Sequence, residues 1–135
     1  MPWIKPLTLL IFWVITQPSQ AQQDSVKLSD VHITFRLLQA EPIGGIKAYF
    51  KNIQQNLRYP PQARKNNVEG KVFIRFIVRK SGTLTNVEVI KGLGYGCDKE
   101  ALRLVKTTGK WKAGRNIRDE VIAQRRIIPI IFKLK

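Results

Sequence analysis

A chain of 135 residues has room for one modest domain, and its 24 lysines and arginines against 9 acidic residues give a formal charge of +15. That charge implies attraction to something anionic, whether nucleic acid, a lipid or lipopolysaccharide surface, or an acidic partner protein, although the basic residues form no long block. A single cysteine, Cys97, excludes an internal disulfide, and a single histidine, His32, leaves no set of soft ligands from which a zinc-like cluster could be built.

Near the start, Lys5 precedes the apolar run Leu7 to Ile15, which is followed by Pro18 and then Ser19-Gln20-Ala21. A basic end, a short apolar core and a small-x-small site is the order of a secretory signal. The run is well short of the roughly 20 residues that span a bilayer. Two readings stay open: residues 1–21 are a signal peptide cleaved after Ala21, or they are a short uncleaved N-terminal anchor. Either reading exports the rest of the chain, where nucleic acid is scarce, so no nucleic-acid partner is expected. Residues 22–43 form a polar lead-in, in which Val31-His32-Ile33-Thr34-Phe35-Arg36-Leu37 alternates as a short strand would. Residues 44–135 are expected to make the folded domain.

Glu41-Pro42-Ile43-Gly44-Gly45 is a turn by composition. Beyond it, Ile46, Tyr49, Phe50, Ile53 and Leu57 share one stripe of an amphipathic helix. That helix must stop before Tyr59-Pro60-Pro61, because proline disfavours helical geometry in the residue before it. Pro61 then opens a short helix, Gln62 to Asn66. From Lys71 the period switches to two: Val72, Ile74, Phe76 and Val78 make a wholly apolar face, while Phe73, Arg75, Ile77 and Arg79 make a mixed one.

Lys80-Ser81-Gly82-Thr83 reads as a hairpin turn, with Gly82 supplying positive φ. The return strand is Leu84 to Ile90, with Asn86 and Glu88 on its polar face and Val87 and Val89 on its apolar one. Gly92, Gly94 and Gly96 suggest a phosphate loop only weakly, since no lysine-serine pair follows them; a loop that turns the chain into a helix is the simpler reading. Asp98 and Glu100 then place negative charge in a first helical turn, and Ala101, Leu102, Leu104 and Val105 give that helix its apolar side. Cys97 at its start is expected to be a small filler. Thr107-Thr108-Gly109 stops the helix, and after Trp111 a polar loop through Asn116 and Asp119 leads to a last strand, Val121 to Lys133.

These elements fold on paper into an α+β domain. The strands Lys71–Arg79 and Leu84–Ile90 form a hairpin, and the crossover helix returns the chain so that the second and third strands run the same way. Keeping every pairing antiparallel places the first strand in the middle. The result is a three-stranded antiparallel sheet in the order second-first-third, with helices packed on one face and the third strand on an edge. An edge explains Pro129, because a missing donor there breaks no bond inside the sheet. Ile127, Pro129 and Ile131 should aim their backbone outward, and Ile128, Ile130, Phe132 and Leu134 should put their side chains on the covered face.

Tyr59-Pro60, Ala63, Val68-Glu69-Gly70-Lys71-Val72, Phe76-Ile77-Val78, Gly82, Asn86-Val87, Asp98-Lys99-Glu100-Ala101-Leu102, Trp111-Lys112 and Ile128-Pro129-Ile130-Ile131-Phe132 together follow a pattern. From about Gly44 to Leu134 the chain resembles the TonB C-terminal domain family, and Glu41 to Gly45 resembles the Pro-Gly-Gly lead-in of its bacteroidete-type members. The resemblance implies a periplasmic domain that grips outer-membrane TonB-dependent transporters. It does so by pairing its last strand with their box segment, in support of energy-coupled transport. Carried over, the partner-binding residues are Ile127, Ile128, Pro129, Ile130, Ile131, Phe132 and Lys133, with Arg58, Tyr59 and Pro60 as the neighbouring contact. Arg58 stands where some members have an amide side chain.

The chain departs from full-length transducers in two respects: its apolar segment is short, and the roughly 24 residues from Gln22 to Gly45 reach only about 80 Å when extended. Coupling to an inner-membrane proton-driven motor therefore requires the uncleaved anchor. A strand-exchanged homodimer is compatible with an exposed last strand. A second function class is an exported basic adaptor that binds envelope proteins or anionic surface polymers without energy transduction. Glu69, Glu88, Asp98 and Glu100 fall on separate elements and His32 has no catalytic neighbour, so neither an enzyme nor a cofactor is expected.

Overall fold

The computed structural model describes residues 38–135, so the signal-like segment and the alternating stretch Val31–Leu37 lie outside the described residues. The elements are β1 Glu41–Pro42, α1 Ile46–Asn56, α2 Pro61–Lys65, β2 Gly70–Val78 and β3 Leu84–Lys91, then α3 Cys97–Thr107, β4 Trp111–Lys112, β5 Gly114–Arg115, β6 Val121–Ile122 and β7 Gln124–Phe132. Among the described residues no helix is long and apolar enough to cross a membrane.

The main sheet has three strands in the order β3-β2-β7, antiparallel throughout. This is the α+β arrangement that chain order requires, with the third strand on an edge. Val72, Ile74, Phe76 and Val78 of β2, and Ile128, Ile130 and Phe132 of β7, are buried on one face. Against that face pack Tyr49 and Ile53 of α1 and Ala101, Leu104 and Val105 of α3. Cys97 is fully buried at the start of α3, and burial pushes its thiol pKa up, so it fills space. Leu134, past the end of β7, is only half-buried; its N–H is held by the Glu69 carboxylate at 2.6 Å.

An aromatic chain ties the layers together. Phe76 meets Trp111 edge-on at 4.9 Å, and Trp111 meets Tyr49 at 5.3 Å. Each such pair adds about 0.5–1.5 kcal/mol beyond its buried area. The β2–β3 turn is pressed onto the same spot: a Cβ at Gly82, whose φ is +83°, would stand 2.2 Å from the Trp111 carbonyl oxygen. Glycine is needed there both for its conformation and for the space.

Three expectations need adjustment. Glu41–Pro42 is a short strand leading into the turn: it pairs with Trp111–Lys112, and the Pro42 carbonyl then accepts from the Gly45 N–H at 3.0 Å. The loop after Trp111 is built from short strands, since Gly114–Arg115 pairs with Val121–Ile122. The last strand is accordingly broken at Ala123, and only Gln124–Phe132 joins the main sheet. The cause lies in the partner strand. Val78, opposite Gln124, is the last residue of β2, and beyond it the chain is already turning. Gln124 marks the corner: its Oε1 accepts from the Ala40 N–H at 2.6 Å and its Nε2 donates to the Leu38 carbonyl at 3.3 Å.

Candidate functional site

Nine consecutive residue pairs, from Gly70↔Phe132 to Val78↔Gln124, join β2 and β7 without a shift in register. On its far side β7 has no strand neighbour among the described residues. The other edge, β3, is different. Its pairing with β2 shifts register twice, and Asn86 takes φ +53° at one of these irregularities. Bulges twist an edge away from visiting strands. The sheet therefore offers one regular open edge.

Two observations set the phase of that edge. Pro129 has no N–H to give to β2. Two residues on, the Ile131 carbonyl accepts from Gln54 Nε2 of α1 at 3.2 Å, outside the β2–β7 ladder. Residues alternate along an antiparallel pair, so Ile127, Pro129 and Ile131 turn their backbone groups outward. Ile128 and Ile130 turn theirs to β2, and Phe132, beyond them in the same phase, does likewise. Ile127 and Ile131 are about half exposed, at 50% and 44%. Gln54 escaped sequence reasoning. A signal was present: Gln54 stands four residues after Phe50 and three before Leu57, on the flank of the apolar stripe of α1, where a polar side chain can reach the neighbouring strand.

Of Arg58, Tyr59 and Pro60, Tyr59 lies against the end of β7. Tyr59 meets Phe132 edge-on at 5.7 Å, and its hydroxyl donates to the Val68 carbonyl. With Gln54, Arg64 and Lys133, Tyr59 lines a concavity of about 720 Å³ at the end of β7. Tyr59 also joins Arg58 and Pro60 in lining a second hollow against α3, together with Lys99, Glu100 and Arg103. Tyr59 thus stands between the two hollows.

That segment is fastened by one carboxylate. Glu100 accepts from the Arg58 backbone N–H at 2.7 Å and from Arg103 Nη2 at 2.7 Å, while Arg103 Nη2 also donates to the Asn56 carbonyl at 3.0 Å. Burial pushes the Glu100 carboxyl pKa up, but the hydrogen bonds and positive charge of Arg103 and Arg58 outweigh it and hold the group below its ordinary range. A depressed folded pKa contributes stability that is fully present above the unfolded value, about 4.3. That contribution is lost as pH falls through the lower folded value. Glu100→Gln is expected to flatten the fall in melting temperature between about pH 5 and pH 3. An acid limb of unchanged slope would contradict this account of Glu100.

The glycine loop holds no site of its own. The Leu93 and Gly94 N–H groups point to the Asp98 carboxylate, at 2.8 and 3.4 Å, so an internal anion already occupies the position a phosphate would take. Among the described residues no group of acidic, histidine or cysteine side chains could hold a metal ion.

A family model described as Gram-negative bacterial TonB protein C-terminal matches residues 55–134. Two solution structures of the Helicobacter pylori TonB C-terminal domain are similar to the chain. One is 24% identical and covers 64% of this chain and 89% of its own, with a TM-score of 0.49. The other is 23% identical and covers 68% and 86%, with a TM-score of 0.47. No curated protein matches the chain.

Proposed function

The chain belongs to the Gram-negative bacterial TonB protein C-terminal family, and from that membership we propose that it takes the box segment of an outer-membrane TonB-dependent transporter as an added strand on β7. The observation that carries this reading is the open edge itself: nine residues in unbroken register with β2, beside a β3 edge that is bulged. In strand addition main-chain bonds supply affinity and flanking side chains supply selectivity. Here the outward groups of Ile127, Pro129 and Ile131 meet the visitor, and Ile128, Ile130 and Phe132 hold the strand from the core side. Tyr59 and Lys133 bound its far end, and Arg58 and Pro60 contribute by positioning Tyr59.

The domain works in the periplasm, with residues 1–21 as its export signal, residues 22–43 as its lead-in and residues 44–135 as the binding domain. If the first segment is an uncleaved anchor, the same domain also couples to a proton-driven motor. A cleaved form binds a transporter but cannot pull on it.

A second reading follows from the charge of +15: a basic adaptor that holds envelope proteins or anionic polymers without transducing energy. Salt separates the two. Affinity for a box-segment peptide, measured by calorimetry, should fall only modestly between low and high salt if the edge pairs with it. A steep fall, unchanged by Pro129→Val, is the polyelectrolyte result and would overturn strand addition.

A further inference from the structure

The side of the main sheet away from the helices carries no covering element among the described residues, and its composition is distinctive. Register places its side chains in cross-strand rows: Lys71 beside Ile131, Lys91-Phe73-Pro129, Glu88-Arg75-Ile127 and Thr85-Ile77-Arg125. Ile90, at one of the β3 irregularities, adds a side chain that is 44% exposed. The apolar part of this face is a band of Ile127, Pro129 and Ile131 on β7, with Phe73 and Ile77 beside it on β2. Arg75 stands between Phe73 and Ile77, and Lys71, Arg79, Lys91 and Arg125 flank the band. The acidic member of the face, Glu88, is already bonded to Arg75 at 2.7 Å.

We propose that this open sheet face is a docking surface for a phospholipid bilayer bearing anionic headgroups. Apolar side chains that enter the headgroup boundary, beside cations that meet phosphate, are the pattern of interfacial binding. Each Lys or Arg near such a surface strengthens binding about fivefold. A second copy fits poorly, because stacking two such faces would set like charges against each other. Ile127, Pro129 and Ile131 belong to both surfaces, by side chain to this face and by backbone to the β7 edge, and an added strand extends the sheet sideways and leaves the face open. A domain held on a bilayer in this way would present its edge parallel to the membrane.

The test uses the full chain with an environment-sensitive fluorophore on a single introduced thiol. Cys97 is buried and does not compete for the label. One variant carries Ile90→Cys on the open face, and a second carries Gln55→Cys on the exposed side of α1. Both keep the same N-terminal segment, so attachment through that segment affects them alike. With mixed phosphatidylglycerol–phosphatidylcholine vesicles, the label at position 90 should shift to the blue and become shielded from aqueous iodide, while the label at 55 stays in water. Lys71→Gln with Lys91→Gln should weaken that response about thirtyfold in vesicle concentration. The proposal is overturned if the label at 90 stays in water, responds equally to phosphatidylcholine alone, or is indifferent to the lysine changes. It is also overturned if soluble polyglutamate shields the label and vesicles do not, which would make the occupant an acidic polypeptide. The substituted residues lie outside β7, so failure here leaves strand addition untouched.

Discussion

Phe76→Ala is expected to lower unfolding stability by about 3–5 kcal/mol, the usual loss for a fully buried phenylalanine. Phe76 is 0% exposed in the middle of the central strand. It also begins the aromatic chain through Trp111 and Tyr49 that binds β2, β4 and α1 to one another. Truncation opens a cavity and removes the edge-on partner of Trp111 together. Since a domain of this size is stable by only about 5–15 kcal/mol, the change removes a large share of the total. Urea unfolding followed by Trp fluorescence and far-ultraviolet circular dichroism measures it, and a melting point at least about 12 °C lower should accompany it. A loss below about 1 kcal/mol would show that the core is not organised around Phe76.

The second large effect is a contrast between neighbours on β7. Ile130→Pro removes a donor turned towards β2 and leaves the facing acceptor unpaired beneath the helices, which costs about 1–3 kcal/mol before any steric misfit. Ile131→Pro removes a donor turned away from β2, so stability should stay close to that of the unchanged protein. Peptide binding should respond in the opposite sense: Ile131→Pro loses a main-chain bond to the visitor, with about a tenfold fall in affinity. Equal destabilisation by the two substitutions would contradict the phase assigned from Pro129 and Gln54.

That phase was legible in the chain before any coordinates, and the reason is physical. Proline in an apolar run has few places to go, and the hairpin at Gly82 with one crossover helix leaves one arrangement in which every pairing is antiparallel. The period of two from Val72 to Val78 was equally plain, because four apolar residues in alternation survive as the buried face of β2. What could not be read had no periodic signal. Glu41–Pro42 and Trp111–Lys112 pair over two residues each, too short a span for alternation to register. The break at Ala123 follows from where β2 ends, and a strand's own hydrophobicity carries no record of its partner's length. Gln54 belongs to the same class: its bond to Ile131 depends on how α1 lies beside the sheet edge, which composition does not state.

Whether β7 receives a strand is tested most directly in the backbone amides of isotope-labelled protein as a transporter-box peptide is added. The largest changes are expected at Ile127, Ile131 and Lys133, with a gap at Pro129 and smaller changes at the inward-facing Ile128 and Ile130. Binding that perturbs the β3 edge, or that leaves every amide from Ile127 to Lys133 unmoved, would contradict strand addition on β7.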